Sequence, residues 1–158
     1  SRSWRRSLLA CDLPKCRYSA IIQHGYSRNQ ANMNAATHEF AHFVTTLRED
    51  GSRTALSPRR LAEALELPVQ KLAGLARVHR NTVALAPMSP KLQEAMGDVV
   101  RVLSAAHGLT GDLDRALFWF RNQPIPDFDH FTPMQLVEQG KVQAVIDYIE
   151  SISAGAAG

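Results

Sequence analysis

Apolar residues recur at helical spacing through most of the chain after Met33. In two stretches, one between Ser89 and Gly108 and one from Lys141 onward, apolar residues recur mostly every three or four positions. This spacing places the apolar residues of each stretch on a single helix face. The first set is Leu92, Met96, Val99, Leu103 and Ala106, and the second is Val142, Val145, Ile146, Ile149 and Ile152. No stretch alternates convincingly between apolar and polar residues, as a half-buried strand would. The predicted fold class is therefore all-α.

The predicted helices have clear start signals. Ser57, Ser89 and Thr132 each stand directly before a proline. A hydroxyl cap followed by proline at the first helical position is typical of a helix N-terminus. Gln135 adds a capping box to Thr132, and Asp112 is a candidate cap for the aromatic helix that follows it.

The predicted helix ends depend largely on glycine. Gly108 is expected to end the helix that starts after Ser89, and Gly140 the helix that starts after Thr132. The last helix is expected to end near Ile152. That boundary leaves residues 153–158 as a tail built only of Ser, Ala and Gly.

Charge is distributed unevenly along the 158 residues, whose formal net charge is +3. Residues 1–32 hold six Arg or Lys against one Asp, a net charge of +5. Residues 52–85 hold six basic against two acidic residues (+4), and residues 91–158 hold five against nine (−4). A basic middle and an acidic end suggest two different partners, one of them polyanionic.

The leading segment, residues 1–32, has no sustained helical or strand period and is predicted to be a disordered leader, with Met33 as a candidate natural start. It holds both cysteines, Cys11 and Cys16, so the rest of the chain needs no disulfide, which fits a reducing cytoplasm. Its apolar run is too short for an export signal. Arg101 interrupts the longest apolar stretch elsewhere, so no membrane span is expected.

Residues 72–83 have the spacing of a helix-turn-helix. Small apolar residues in the first half would let a second helix cross closely, and that helix begins with side chains suited to base edges and phosphates. Arg77 stands where a turn glycine is usual. The candidate DNA contacts are Lys71, Arg77, His79, Arg80, Asn81 and Thr82. Two other interpretations stay open: these polar residues are simply solvated, or the unit mainly dimerises.

His38, Glu39 and His42 form a His-Glu-x-x-His motif. In zinc peptidases the two histidines of this motif bind the metal and the glutamate is the general base. The apolar stripe of the same helix places both histidines on the opposite, solvent side; it consists of Phe40, Phe43, Val44 and Leu47. A third zinc ligand would have to come from Glu63 or Glu66. Zinc catalysis is therefore an alternative and not the main interpretation.

Phe118, Trp119 and Phe120 are consecutive aromatic residues, followed by Arg121 and Asn122. Neighbours on a helix are about 100° apart, so the three rings cannot all face one core. At least one ring is expected at a surface, where an aromatic side chain beside polar residues has the composition of a binding hot spot. The alternative is that these rings mainly fill the core of a small bundle.

The last third of the chain resembles the C-terminal toxin-binding domain of the Xre/ParS/MbcA antitoxins, which pair with RES-domain toxins. The matching stretches are RALFWFRNQPI at 115–125, TPMQLV at 132–137, EQGKVQAVIDYIESI at 138–152 and a glycine-containing end. The resemblance covers roughly residues 53–158. It implies a helical DNA-binding or dimerisation module at 33–88 and a toxin-binding domain with a C-terminal tail at 89–158.

The resemblance also implies a function and its residues. We expect a cytoplasmic, non-enzymatic antitoxin without a cofactor, which binds a cognate RES-domain toxin and occludes the site where that toxin uses NAD. As a homodimer it would bind operator DNA and repress its own operon. The implied toxin contacts are Trp119, Arg121, Asn122, Ser153, Ala154, Gly155, Ala156, Ala157 and Gly158. A stand-alone helix-turn-helix regulator is the main alternative, and the zinc hydrolase is the second.

Overall fold

The computed structural model describes residues 34–156, and the described residues from Ala36 onward form a compact unit. The predicted leader, residues 1–32, lies outside the described residues. The helices are α1 (34–46), α2 (Pro58–Ala64), α3 (Lys71–Ala76), α4 (Arg80–Leu85), α5 (Pro90–Thr110), α6 (Leu113–Asn122), α7 (Pro133–Glu138) and α8 (Val142–Ala156), with a 3-10 turn at Pro126–Phe128. Over residues 34–156 there is no strand, only isolated bridges. The all-α prediction is confirmed.

The central element is α5, which packs against α3, α6, α7 and α8. At 21 residues it is the longest helix of the described chain, about 31 Å at 1.5 Å per residue. The apolar face predicted for this helix is buried in full: Leu92, Met96, Val99, Leu103 and Ala106 are at most 2% exposed. A continuous buried face lets one helix hold four others on a shared core.

Helix starts agree with the sequence in position but not always in chemistry. Ser57, Ser89 and Thr132 are the N-cap residues of α2, α5 and α7. The predicted capping box is present, because Thr132 Oγ1 accepts from the Gln135 N–H at 3.3 Å and Gln135 Oε1 accepts from the Thr132 N–H at 2.9 Å. The prediction that the serine hydroxyls cap α2 and α5 by a hydrogen bond is wrong, because neither hydroxyl bonds a backbone N–H of its helix. Proline at the first position starts these two helices without that bond. Asp112 caps α6 as predicted, 2.8 Å from its third-residue N–H.

Two predicted helix ends are wrong. Helix α5 continues through Gly108 to Thr110, and the left-handed residue that ends it is Gly111, at φ 68°. The Gly111 N–H then bonds the His107 carbonyl at 2.7 Å, which satisfies one of the last free carbonyls. Helix α8 continues past Ile152 to Ala156, because alanine and serine tolerate a helix and no breaker stands at 153 or 154.

The Gln93 side chain helps to fix the segment between α1 and α2. Gln93 Oε1 accepts from the Leu56 N–H at 2.9 Å, and Gln93 Nε2 donates to the Leu56 carbonyl at 2.9 Å and to the Pro87 carbonyl at 2.8 Å. This amide therefore satisfies both backbone groups of one residue 37 positions away. The same segment is tied to α2 through Arg60, whose guanidinium bonds Asp50 at 2.7 Å. That hydrogen bond and the charge of Asp50 raise the pKa of Arg60 above its ordinary value.

Helix α1 lies on α5 through aromatic contacts. The Phe40 ring is centred 5.2 Å from the buried His107 ring and 5.9 Å from Phe43. His107 Nε2 lies 3.4 Å from Glu39 Oε2, which ties the same helix pair by a polar contact. Among the helices over residues 34–156, none combines the length and the apolar composition needed to cross a lipid bilayer.

Candidate binding surfaces

The turn between α3 and α4 is built around Arg77. Its backbone is left-handed, at φ 51° and ψ 44°, a conformation usually occupied by glycine at a helix end. The Arg77 N–H bonds the Gly74 carbonyl and the Val78 N–H bonds the Ala73 carbonyl, both at 3.0 Å. This arrangement closes α3 and directs the chain into α4. Arg77 thus takes the conformation of the expected turn glycine.

The first turn of α4 is open to solvent. His79 is its N-cap, with Nδ1 accepting from the Asn81 N–H at 3.2 Å. Lys71, Arg77, His79, Arg80 and Asn81 are exposed, Thr82 is half-buried and Val83 packs into the core. Within residues 34–156 the Arg80 and Asn81 side chains form no hydrogen bond or ion pair of their own. Four of the six predicted DNA contacts therefore lie together at the start of α4, whereas Lys71 begins α3 and Arg77 is the C-cap residue of α3. The helix-turn-helix assignment itself stays a prediction.

The Arg77 side chain points toward Gly140, which belongs to the predicted toxin-binding domain. A Cβ built on Gly140 would lie 2.8 Å from Arg77 Nη2 and 3.2 Å from Cζ, so the guanidinium rests directly on the turn between α7 and α8. Lys91 Nζ donates to the Arg77 carbonyl at 3.1 Å. Beside this contact lies a cleft of about 410 Å³. The α5 charges that line the cleft are Lys91, Glu94, Asp98 and Arg101.

The three aromatic residues of α6 face different surroundings. Phe120 is fully buried, Trp119 is half-buried against the core and Phe118 is 58% exposed. The expectation that at least one ring lies at the surface is confirmed. The exposed ring is Phe118, which was not among the predicted toxin contacts. Because Phe118, Trp119 and Phe120 are consecutive, the sequence indicated that their rings face different directions. It did not indicate which face of α6 packs against the core.

Phe118 borders a groove of about 640 Å³ between α6 and the end of α2. Leu117 and Ala64 supply further apolar surface, and the charged lining is Glu63, Glu66, Asp114, Arg115 and Arg121. A groove with apolar and charged parts can hold both the apolar and the polar atoms of a ligand or partner segment.

Arg121 and Asn122, both predicted toxin contacts, form hydrogen bonds within the unit. Arg121 Nη1 donates to the Leu65 carbonyl at 2.9 Å and to Glu66 Oε2 at 2.5 Å. Only 18% of the Arg121 side chain is exposed. Asn122 is exposed, and its Nδ2 donates to the Phe118 carbonyl at 3.2 Å. Arg121 therefore holds α6 against the end of α2, whatever else it contacts.

The end of α8 leaves the core. Val145 and Ile149 are buried, but every residue from Glu150 to Gly155 is exposed. The two serine hydroxyls here bond the helix itself, Ser151 to the Tyr148 carbonyl at 2.7 Å and Ser153 to the Ile149 carbonyl at 3.0 Å. Of the predicted tail contacts, Ser153, Ala154, Gly155 and Ala156 continue the helix, whereas Ala157 and Gly158 lie outside the described residues.

The His-Glu-x-x-His motif lies on α1. His38 and His42 are both exposed, as the apolar stripe predicted, and Glu39 contacts His107. The part of the chain that the structure describes contains no group of three His, Cys, Asp or Glu side chains arranged to hold a metal ion. Glu66, a suggested third ligand, bonds Arg121 instead.

Comparison of the chain with protein-family models, with curated proteins and with solved structures found no match.

Proposed function

We propose that this chain is the cytoplasmic antitoxin of a type II toxin-antitoxin pair. It binds an NAD-using RES-domain toxin through α6 and α8 and occludes the toxin's active site, without an enzymatic activity or a cofactor of its own. As a homodimer it binds operator DNA through the start of α4 and represses its own operon.

The observation that carries the proposal is the exposed C-terminal part of α8, residues 150–155. Ile149 anchors this helix in the core at 2% exposure, and the next six residues then extend into solvent. Their side chains are mostly small, so a narrow helical element projects beyond the core. An element of this shape is suited to enter a cleft, because a segment that is already helical loses less conformational freedom on binding.

The residues that carry the family resemblance lie on α6 and α8. The stretch 115–125 includes most of α6 with its exposed Phe118, and the stretch 138–152 forms most of α8. An exposed aromatic ring beside a groove is the kind of anchor that dominates binding energy at protein interfaces. The toxin surface of the proposal thus consists of two elements packed on a common helix, α5.

The DNA part of the proposal is supported by the open first turn of α4. Arg80 and Asn81 are exposed, adjacent and uncommitted among the described residues, and these are the side-chain types that pair with guanine and adenine edges. A dimer would present two such turns to a palindromic operator.

Co-purification and NAD consumption test the proposal directly. The chain is co-expressed with the protein encoded by the adjacent open reading frame, which the proposal expects to be a RES-domain toxin, and the complex is assayed for NAD loss against that protein alone. We expect a stable complex with NAD consumption suppressed, and growth arrest by the toxin relieved. An exposed-surface variant, Arg59→Ala, should behave as the wild type. A chain that neither binds the toxin nor restores growth would refute the antitoxin assignment, and operator binding without toxin binding would instead favour a stand-alone regulator.

A further inference from the structure

The groove beside Phe118 combines an exposed aromatic ring with several carboxylates. Phe118 is 58% exposed, more than any other phenylalanine among residues 34–156. The groove, of about 640 Å³ between α6 and the end of α2, is also lined by five charged side chains: Glu63, Glu66, Asp114, Arg115 and Arg121. Its chemistry therefore depends on which of these charges are already paired within the unit.

Arg121 and Glu66 pair with each other. Arg121 Nη1 bonds Glu66 Oε2 at 2.5 Å, and only 18% of the Arg121 side chain is exposed. Glu63 pairs with Arg59, which does not line the groove, but the Glu63 side chain is 65% exposed in this pair. An ion pair this exposed contributes little in water, so Glu63 remains able to bind a second cation.

Asp114 lies one helical turn before Phe118 on α6, so their side chains occupy the same face of the helix. Asp114 is exposed and forms no ion pair within residues 34–156. Arg115 is the remaining cation of the groove. With Glu63 included, the accessible charges are therefore two carboxylates against one guanidinium.

An aromatic ring beside carboxylates suits a cation for two physical reasons. The ring face carries negative partial charge, which attracts an ammonium or guanidinium group placed within about 6 Å. A neighbouring carboxylate adds a charge-assisted hydrogen bond to the same group. Ala64 and Leu117 supply apolar walls along which the methylene stem of a lysine or arginine can pack. An anionic group would instead meet one guanidinium and two repelling carboxylates.

We propose that this groove receives a lysine or arginine side chain of the toxin. The cation lies on the Phe118 ring, Asp114 and Glu63 balance its charge, and its stem packs on Leu117. The contact fits the net charge of −4 over residues 91–158, which favours a basic partner surface. This subsite rests on the proposed function, which names the toxin as the partner, and adds the chemistry by which the toxin is recognised.

The first experiment replaces Phe118 in the full chain with mono-, di- and trifluorinated phenylalanine. Fluorine withdraws electrons from the ring face and leaves the shape of the ring nearly unchanged, so a bound cation loses attraction at each step. We expect the toxin Kd, measured by calorimetry, to rise at each step, by about threefold to tenfold over the series. The same series at Phe131, an exposed ring outside the groove, should leave Kd unchanged. A Kd that stays flat or falls with fluorination at Phe118 would overturn the proposal, because an apolar anchor does not weaken when it is fluorinated.

The second experiment removes one carboxylate charge and keeps the shape of the side chain. Asp114→Asn should raise the toxin Kd about threefold to tenfold at low salt, and the difference from the wild type should shrink as salt screens the charge. Glu94→Gln removes an exposed carboxylate of α5 outside the groove and is the matched control. Equal changes of Kd in Asp114→Asn and Glu94→Gln would show an effect of net charge alone, and the subsite would be refuted.

The two experiments separate failure of the subsite from failure of the proposed function. If the wild-type chain binds no toxin, the proposed function fails and the subsite fails with it. If the toxin binds but its Kd responds neither to fluorination of Phe118 nor to Asp114→Asn, the proposed function stands and the groove receives no cation.

Discussion

Arg121 closes the end of a helix that lies 56 residues earlier in the chain, by donating from Nη1 to the carbonyl of Leu65 at 2.9 Å. Leu65 is the C-cap residue of α2, and carbonyls at a helix C-terminus lack partners within the helix. The same nitrogen bonds Glu66, which has a left-handed backbone at φ 51°. A residue of the aromatic helix thus completes the end of α2.

Removing this contact should cost stability. Arg121→Ala is expected to lower the free energy of unfolding by about 1.5–3 kcal/mol, the range for hydrogen bonds from charged groups, as measured by urea denaturation. Arg115→Ala changes an exposed arginine of the same helix and should stay within about 0.5 kcal/mol of the wild type. If Arg121→Ala instead keeps full stability and loses toxin binding, the side chain acts mainly at the interface.

Phe118 and Phe120 should separate binding from folding. Phe120→Ala creates a cavity at a fully buried site and should lower the free energy of unfolding by about 3–5 kcal/mol. Phe118→Ala removes a ring that is 58% exposed, so stability should change little. Its effect should appear in toxin affinity as a loss of about 2 kcal/mol or more, read by calorimetry. Wild-type affinity in Phe118→Ala would exclude this ring from the interface.

Truncation after Ile152 tests occlusion by the end of α8. Residues 153–155 are exposed, so the shortened chain should keep its thermal midpoint and still bind the toxin through the remaining surface. NAD consumption should nevertheless return in the complex, because the element proposed to enter the active site is gone. A control truncated after Ala156 removes only the last two residues and separates their contribution from that of the helical end. Complete inhibition by the shorter chain would assign occlusion to the body of the unit.

The start of α4 should determine operator recognition. Arg80→Ala and Asn81→Ala are each expected to weaken operator binding by about 1–3 kcal/mol if they contact bases, in gel-shift titrations against a scrambled sequence. Lys71→Ala should weaken both sequences alike and reduce the slope of log Kd against log salt by about one. Arg101→Ala, an exposed cation on α5, is the control. Unchanged operator affinity in both α4 variants would leave dimerisation as the role of this unit.

Local signals predicted the helix starts well. Proline after Ser57, Ser89 and Thr132 marked three helices correctly, because its fixed φ acts within one residue. The choice between Gly108 and Gly111 as the end of α5 could not be made locally. A glycine also fits inside a helix, and it is the packing of residues on either side that decides where the helix stops.

The sequence alone did not predict the long-range contacts. The hydrogen bond from Arg121 to the Leu65 carbonyl and the contact of Arg77 with Gly140 join residues more than fifty positions apart, and no periodicity encodes them. For the same reason the sequence did not identify Phe118 as the exposed ring. The 100° spacing required at least one ring at the surface, but the packing of α5 and α7 against α6 determines which one.

Gln93 illustrates how narrowly a position can be constrained at the level of the gene. The amide both accepts from and donates to the backbone of Leu56, and it reaches the Pro87 carbonyl as well. A single base change in either glutamine codon gives Lys, Glu, Leu, Pro, Arg or His, or stops translation. None of these residues has a terminal amide, with its two donors and an acceptor on one carbon. Almost every point mutation at this codon is therefore expected to loosen the segment between α1 and α2, and recovery would require a second mutation elsewhere or a reversion.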